Sequence, residues 1–227
     1  MKPGSDPAGL GCSWTRAGGS LGERARASRL DFVAGEAGQI RIEEEKLDAE
    51  REARRRLAFA QIRQYPDPVL RMQAKEVEAF DGDLQRLVER MKRLMIEANG
   101  IGLAATQVGV LRRVFVFQRG ERGDDGAVVA VVNPRVVERS EETETDEEGC
   151  LSLQGVLVPV ERHVAVALEA RDPEGAELRL ELEGLEARVA QHELDHLQGV
   201  LVIDRTTPEA RREALAILRP QPVLGAR

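Results

Sequence analysis

Of the three histidines in this 227-residue chain, His163, His192 and His196, two stand four residues apart. They frame His192-Glu193-Leu194-Asp195-His196, an HExxH sequence. On a helix, positions i and i+4 share a face one turn apart. Both imidazoles can therefore hold one metal ion, with Glu193 beside them to handle the proton of a water on that ion. The competing reading, two incidental core histidines, must explain why two of only three fall in so short a pattern. Leu194 and Leu197 supply the apolar contacts of a buried helix.

A catalytic metal needs a third protein ligand and an open coordination position. The longer pattern HExxHxxGxxH matches through Gly199 but places Val202 where its last His belongs. A downstream carboxylate, Glu209 or Glu213, is a second source. The third is Cys150, in Glu148-Gly149-Cys150-Leu151-Ser152, as a thiolate whose pKa a cation would lower. Taken alone, a single cysteine reads more readily as a small buried hydrophobe. A further segment, Gly100-Ile-Gly-Leu-Ala-Ala-Thr-Gln-Val-Gly109, carries small residues that admit a close ligand, and Gln107, whose amide can donate to a developing oxyanion. It is not a nucleotide loop: GxGxxG fails at Ala105, and the segment follows a helix rather than a strand.

Elements must position these groups. Leu84, Leu87, Val88, Met91, Leu94 and Met95 recur at helical spacing, which predicts a helix over Asp83–Ala98 ended by Asn99-Gly100. Further helices are expected over Leu185–Leu197, around the HExxH, and over Pro208–Leu218. Strand-like runs lie at Val114–Gln118, Ala127–Asn133, Val156–Val160, Val164–Arg171 and Glu177–Glu183, parted by turns such as RGDDG and DPEG. Pro66–Arg71, PDPVLR, reads as a turn followed by an apolar anchor. Six acids in the eight residues from Glu141 to Glu148 read as a solvated loop. Helices and strands do not alternate as βαβ units, so the fold class is α+β.

Hydrophobic residues make up 42% of the chain and charged residues 32%, which excludes disorder throughout. The longest apolar runs, such as Ala127–Val132, are far shorter than the roughly 18 residues of a membrane span. The N-terminus has Lys2 but no apolar stretch behind it, so a secretory signal is not expected and the protein reads as cytoplasmic. Two cysteines, Cys12 and Cys150, make no disulfide framework. Residues 1–58 hold 11 bases and 10 acids, and the rest hold 22 and 30. That acidic balance argues against nucleic-acid binding. The first 40 residues show no sustained period, and Arg41–Arg56, with six acids and six bases, reads as a solvated charged helix.

Together GIGLAATQVG, EGCLS and QHELDHLQG resemble the three signature motifs of the peptide deformylases, in that family's order and at about its spacing. The resemblance covers about residues 59–218. It implies mainly antiparallel strands packed around a central HExxH helix, with 1–58 an N-terminal extension, 59–218 the catalytic domain and 219–227 a C-terminal tail. It also implies one divalent ion held by Cys150, His192 and His196, usually Fe²⁺, with Zn²⁺, Ni²⁺ or Co²⁺ accommodated. The implied activity is removal of the N-formyl group from the initiator methionine of nascent bacterial chains, releasing formate. Glu193 would serve as general base and acid, and the Gln107 amide and Leu151 N–H would meet the oxyanion. The methionine side chain would enter a pocket of Ile101, Leu185, Val189 and the stem of Arg188. The peptide backbone would run along Ile101, Gly102 and Gly149. The partners implied are N-formylmethionyl nascent peptides and, transiently, the ribosome. Glu148 and Asp195 stand as orienting or merely solvated carboxylates.

Overall fold

The structure is a computed structural model and describes residues 46–120 and 127–218. Backbone contacts divide the chain into two compact units, Met1–Ala49 and Glu50–Arg227. The charged helix expected at Arg41–Arg56 is helical over 46–56, and 41–45 lie outside the described residues, as do Cys12, the RGDDG turn and the tail 219–227. The second unit contains all three motif segments.

Its helices are α1 (50–59), α2 (Gly82–Glu97), α3 (Gly184–Leu197) and α4 (Pro208–Leu218). Its strands are β1 (Gly102–Ala104), β2 (Val114–Gln118), β3 (Val128–Arg139), β4 (Thr143–Cys150), β5 (Leu153–His163), β6 (Ala165–Arg171) and β7 (Glu177–Glu183). Five strands form an antiparallel sheet in the order β1-β2-β3-β6-β7, and β4 pairs with β5 in a separate antiparallel hairpin. The fold is α+β.

Strand β2, VFVFQ, shows why the run is apolar at successive positions. Val114 and Val116 join the cluster that buries Leu84, Leu87, Val88, Met91, Leu94 and Met95 of α2. Phe115 and Phe117 face the other way, into a cluster with Ala187, Ala190, Leu194 and Leu197 of α3. A sheet covered on both faces has no polar side to write into the pattern. A third cluster packs Leu153, Val156, Val158 and Val160 of β5 on Leu201, Val202, Ile203 and Ala214. Each buried Val, Leu, Ile, Phe or Met among them contributes about 1.5–3 kcal/mol, so α3 is fixed by its apolar face before any metal is considered.

Two expectations are corrected. Strand β3 does not stop at Asn133 but continues to Arg139 through a register shift between Val132 and Arg135. Pro134 is tolerated because a bulge needs no ladder N–H there. Asn133 takes φ 51°, and its amide replaces the lost ladder by accepting from Val77 N at 2.8 Å and donating to Val77 O at 2.9 Å. The acidic stretch expected as a solvated loop is mostly strand β4. Glu144, Asp146 and Glu147 are exposed along it, but Glu148 is buried, because pairing with β5 carries the last carboxylate of this acidic run under the surface. At the end of α2 the left-handed residue is Asn99 (φ 59°).

Candidate metal centre

Helix α3 puts the two histidine rings 5.0 Å apart, centroid to centroid, and β4 ends beside them at Cys150. One ligand atom each from Cys150, His192 and His196 lies within 4.8 Å of the others, and Cys150 Sγ is 3.2 Å from His196 Nε2. Two such donors on one tetrahedral ion stand about 3.3–3.6 Å apart, given metal–ligand bonds of about 2.0 Å to nitrogen and about 2.3 Å to sulfur. A thiolate and two imidazoles at this spacing fit a first-row divalent cation. Glu209 and Glu213, the carboxylate alternatives, belong to α4 and are not in this group.

The histidines are held unequally. His192 Nδ1 is 2.9 Å from Glu148 Oε2, so its Nε2 is left for the metal. His196 Nδ1 is buried and without a hydrogen-bond partner among the described residues. Burial lowers the pKa of both imidazoles. At His192 the hydrogen bonds with Cys150 and Glu148 outweigh it and raise the pKa well above the ordinary value, whereas at His196 the charge of His192 adds to burial and the pKa falls well below.

Glu148 anchors this arrangement. Arg162 grips it through Nε at 2.9 Å and Nη2 at 3.0 Å, and Arg188 Nη1 donates at 3.0 Å. Burial alone would raise the Glu148 pKa, but the bonds from His192 and Arg162 hold it at about 2. The other side of Arg162 donates to Asp195 Oδ2 at 2.6 Å, and Arg205 binds the same carboxylate at 2.5 and 3.0 Å. Asp195 and Glu148 are thus neither solvated nor caps. Both are buried, and both are neutralised by arginine.

Glu193 is buried against β1, with Oε2 unpartnered among the described residues. Burial raises its pKa to about 7 against the opposing charge of His192. Gly102 makes room for it: a Cβ there would run into Glu193 Oε1 and stand 2.9 Å from Val189 Cγ1. Gln107 is also buried, on a 3₁₀ turn, Ala105–Val108. Its Oε1 accepts from Ala104 N at 2.8 Å, which turns Nε2 toward Ser152 Oγ at 3.1 Å and Cys150 Sγ at 3.5 Å. That assignment of O and N follows from the network.

A cavity of about 650 Å³ opens on this cluster. Ile101, Gly102, Gln107, Gly149, Cys150, Leu151, Leu185, Arg188, Val189, His192 and Glu193 all line it, and His196 is reached behind them through Cys150. Arg162, Arg205 and Ser152 were not singled out by sequence reasoning. A signal existed for Arg162: Val156, Val158, Val160 and Arg162 alternate on the buried face of β5, so period two placed a guanidinium inside.

The model of the family described as polypeptide deformylase matches residues 59–212. The chain belongs to the peptide deformylase family. A peptide deformylase of Thermodesulfovibrio yellowstonii is 42% identical over 155 residues, 68% of this chain and 93% of that one. One of Thermotoga maritima is 46% identical over 150 residues, 66% of this chain and 88% of that one. Among solved structures, the peptide deformylase of Legionella pneumophila shares 39% identity at a TM-score of 0.65, covering 69% of this chain and 91% of that one. The Ehrlichia chaffeensis enzyme shares 32% at the same score, over 69% and 92%. The antiparallel fold around the HExxH helix is therefore that of a metal-dependent peptide deformylase, and Cys150, His192 and His196 form a group that could hold a metal ion.

Proposed function

We propose that this deformylase hydrolyses the formyl amide of N-formylmethionyl nascent peptides, with Cys150 Sγ, His192 Nε2 and His196 Nε2 holding one Fe²⁺. Zn²⁺, Ni²⁺ and Co²⁺ suit the same ligands. The observation that carries this reading is the convergence of that donor set with Glu193 and Gln107 on one cavity. When bound, the ion supplies Lewis acidity, lowering the pKa of water and polarising a carbonyl.

Glu193 takes the proton of the attacking water and returns it to the methionine nitrogen as the C–N bond breaks and formate leaves. Its buried, unpartnered oxygen is what a proton-transfer group needs before substrate arrives. Gln107 Nε2, already fixed by Ala104, donates to the formyl oxygen as it becomes an oxyanion, with Leu151 N–H beside it. One such donor contributes about 2.7–4 kcal/mol to the transition state. Ile101, Leu185, Val189 and the stem of Arg188 receive the methionine side chain. Strand β1 is the edge of its sheet, so its open side offers an extended peptide a partner along Gly102, across from Gly149. Ile101 takes part mainly through its side chain, since its carbonyl accepts from Gln118 N at 2.9 Å.

We assign the catalytic domain to residues 59–218, with 1–58 an extension and 219–227 a tail. No helix among the described residues is long and apolar enough to cross a membrane. Action in the bacterial cytoplasm, with transient docking at the ribosome, is the setting we propose. Formate release from a formyl-Met peptide by anaerobically prepared protein is the test. Absence of release with Fe²⁺ or Ni²⁺ bound would overturn the reading. Glu193→Ala is expected to keep the metal and lose turnover, and Cys150→Ala to lose the metal, both read by metal analysis beside the assay.

A further inference from the structure

The cavity at the metal centre is also lined by Arg55 and Phe59, from α1. The family match begins at residue 59, so Arg55 comes from chain that the family model does not cover. Phe59 packs on the α2 cluster beside Leu151, and the Arg55 guanidinium carbon lies 5.6 Å from the centroid of its ring. Arg55 Nη1 is 3.9 Å from Glu52 Oε2, with half of each side chain or more still exposed. Such a pair is a weak restraint.

The other lining arginine is committed elsewhere. Arg188 donates from Nη1 to Glu148 and to Val160 O, and from Nη2 to Glu144 O at 2.8 Å. Among the acids, Glu148 is neutralised and Glu193 is buried, whereas Glu147 is exposed. Arg55 is therefore the lining cation, among the described residues, whose donors face solvent at the cavity rather than buried protein partners. A guanidinium in that position matches a carboxylate, which it can grip with two parallel bonds.

We infer that Arg55 binds a carboxylate carried by the one or two residues after the formylated methionine. The inference rests on the deformylase reading and adds a substrate preference to it. The formylated terminus is uncharged, so the first charge a bound peptide can present comes from later residues, each about 3.3 Å further along an extended chain.

The test compares formyl-Met-Glu-Ala-amide and formyl-Met-Ala-Glu-amide with the same peptides carrying Gln for Glu, on metal-loaded full-length protein. Wild type is expected to favour at least one Glu peptide by up to about fivefold in kcat/KM, through KM rather than kcat, with the preference shrinking in 0.5 M salt. Arg55→Gln is expected to bring the Glu/Gln ratio to one, and Arg55→Glu to take it below one. Loss of α1 packing alone would slow Glu and Gln peptides equally, so the ratio isolates the charge, and Arg55→Gln suffices if Arg55→Glu does not fold. A wild-type ratio of one for both pairs, or a preference that survives in Arg55→Gln, overturns the inference. Formate release from none of the four peptides by wild type would instead sink the deformylase reading, and this inference with it.

Discussion

At the scale of single residues, the centre depends on close approach as much as on donors. Glu193 reaches its place because Gly102 has no side chain, and nothing larger fits between β1 and α3 there. Gly102→Ala is expected to leave the metal bound while displacing the carboxylate, with turnover falling at least about 10²-fold, the lower end of what a positioned base contributes. Formate assay and metal content measured on the same preparation check this. Loss of metal together with activity would show that the glycine serves the ligands instead. Asp195 shows the opposite kind of constraint: it touches no ligand atom of the metal group, yet it helps hold the arginine that holds Glu148, which holds His192.

At the scale of elements, that chain of bonds joins the β4–β5 hairpin to helix α3, with which it shares no backbone ladder. Glu148 is on β4, Arg162 on β5 and Asp195 on α3, and Arg162 bridges the two acids from inside the protein. Removing it takes three hydrogen bonds from two buried carboxylates, leaving Glu148 to Arg188 and His192 and Asp195 to Arg205, which is far costlier than losing a surface pair. Arg162→Met is expected to destabilise the fold by about 3–5 kcal/mol in urea unfolding and to weaken metal retention, because His192 loses its fixed partner. By contrast, α2 works by packing alone. Met91→Ala is expected to cost about 2–5 kcal/mol while leaving metal content per folded molecule and KM unchanged, which a denaturation curve and a kinetic assay would show together. A KM change there would mean that the α2 cluster reaches the cavity through Phe59 or Leu151.

At the scale of the whole molecule, Asp204 ties two short 3₁₀ turns together, with Arg71 of Pro68–Arg71 and the Leu201 N–H, at 2.9 Å, both on its carboxylate. Burial raises its pKa, but those bonds outweigh burial and hold it below the ordinary 3.8. A carboxyl whose folded pKa is depressed binds protons more weakly folded than unfolded. Its stabilisation is therefore present above pH 3.8 and lost as pH falls through the lowered folded value. Asp204→Asn is expected to lower stability at pH 7 by about 1 kcal/mol and to flatten the acid limb of stability against pH below 4. Thermal unfolding from pH 3 to 7 measures both. An acid limb as steep in the variant as in wild type would place the coupling at other carboxylates.

Local pattern was enough for much of this protein. The apolar spacing of α2, the HExxH on a helix, strands β2 and β7 to the residue and helix α4 to the residue follow from periods of 3.6 and 2 and from turn residues, which act within a few positions. The three motifs also carried the family. What local pattern cannot carry is which distant segments meet. Local pattern leaves open whether Cys150 or a carboxylate of α4 reaches the histidines; the family resemblance implies Cys150, and the β4–β5 hairpin brings it beside α3. The acids before Glu148 looked solvated because strand pairing, not composition, decides which member of an acidic run is buried. Arg55 entered the cavity from α1, 137 positions before His192 by their numbering, and no spacing rule links them. Chain connectivity fixes chemistry and periodicity, while burial and proximity are properties of packing and appear only when the sheets and helices have closed on one another.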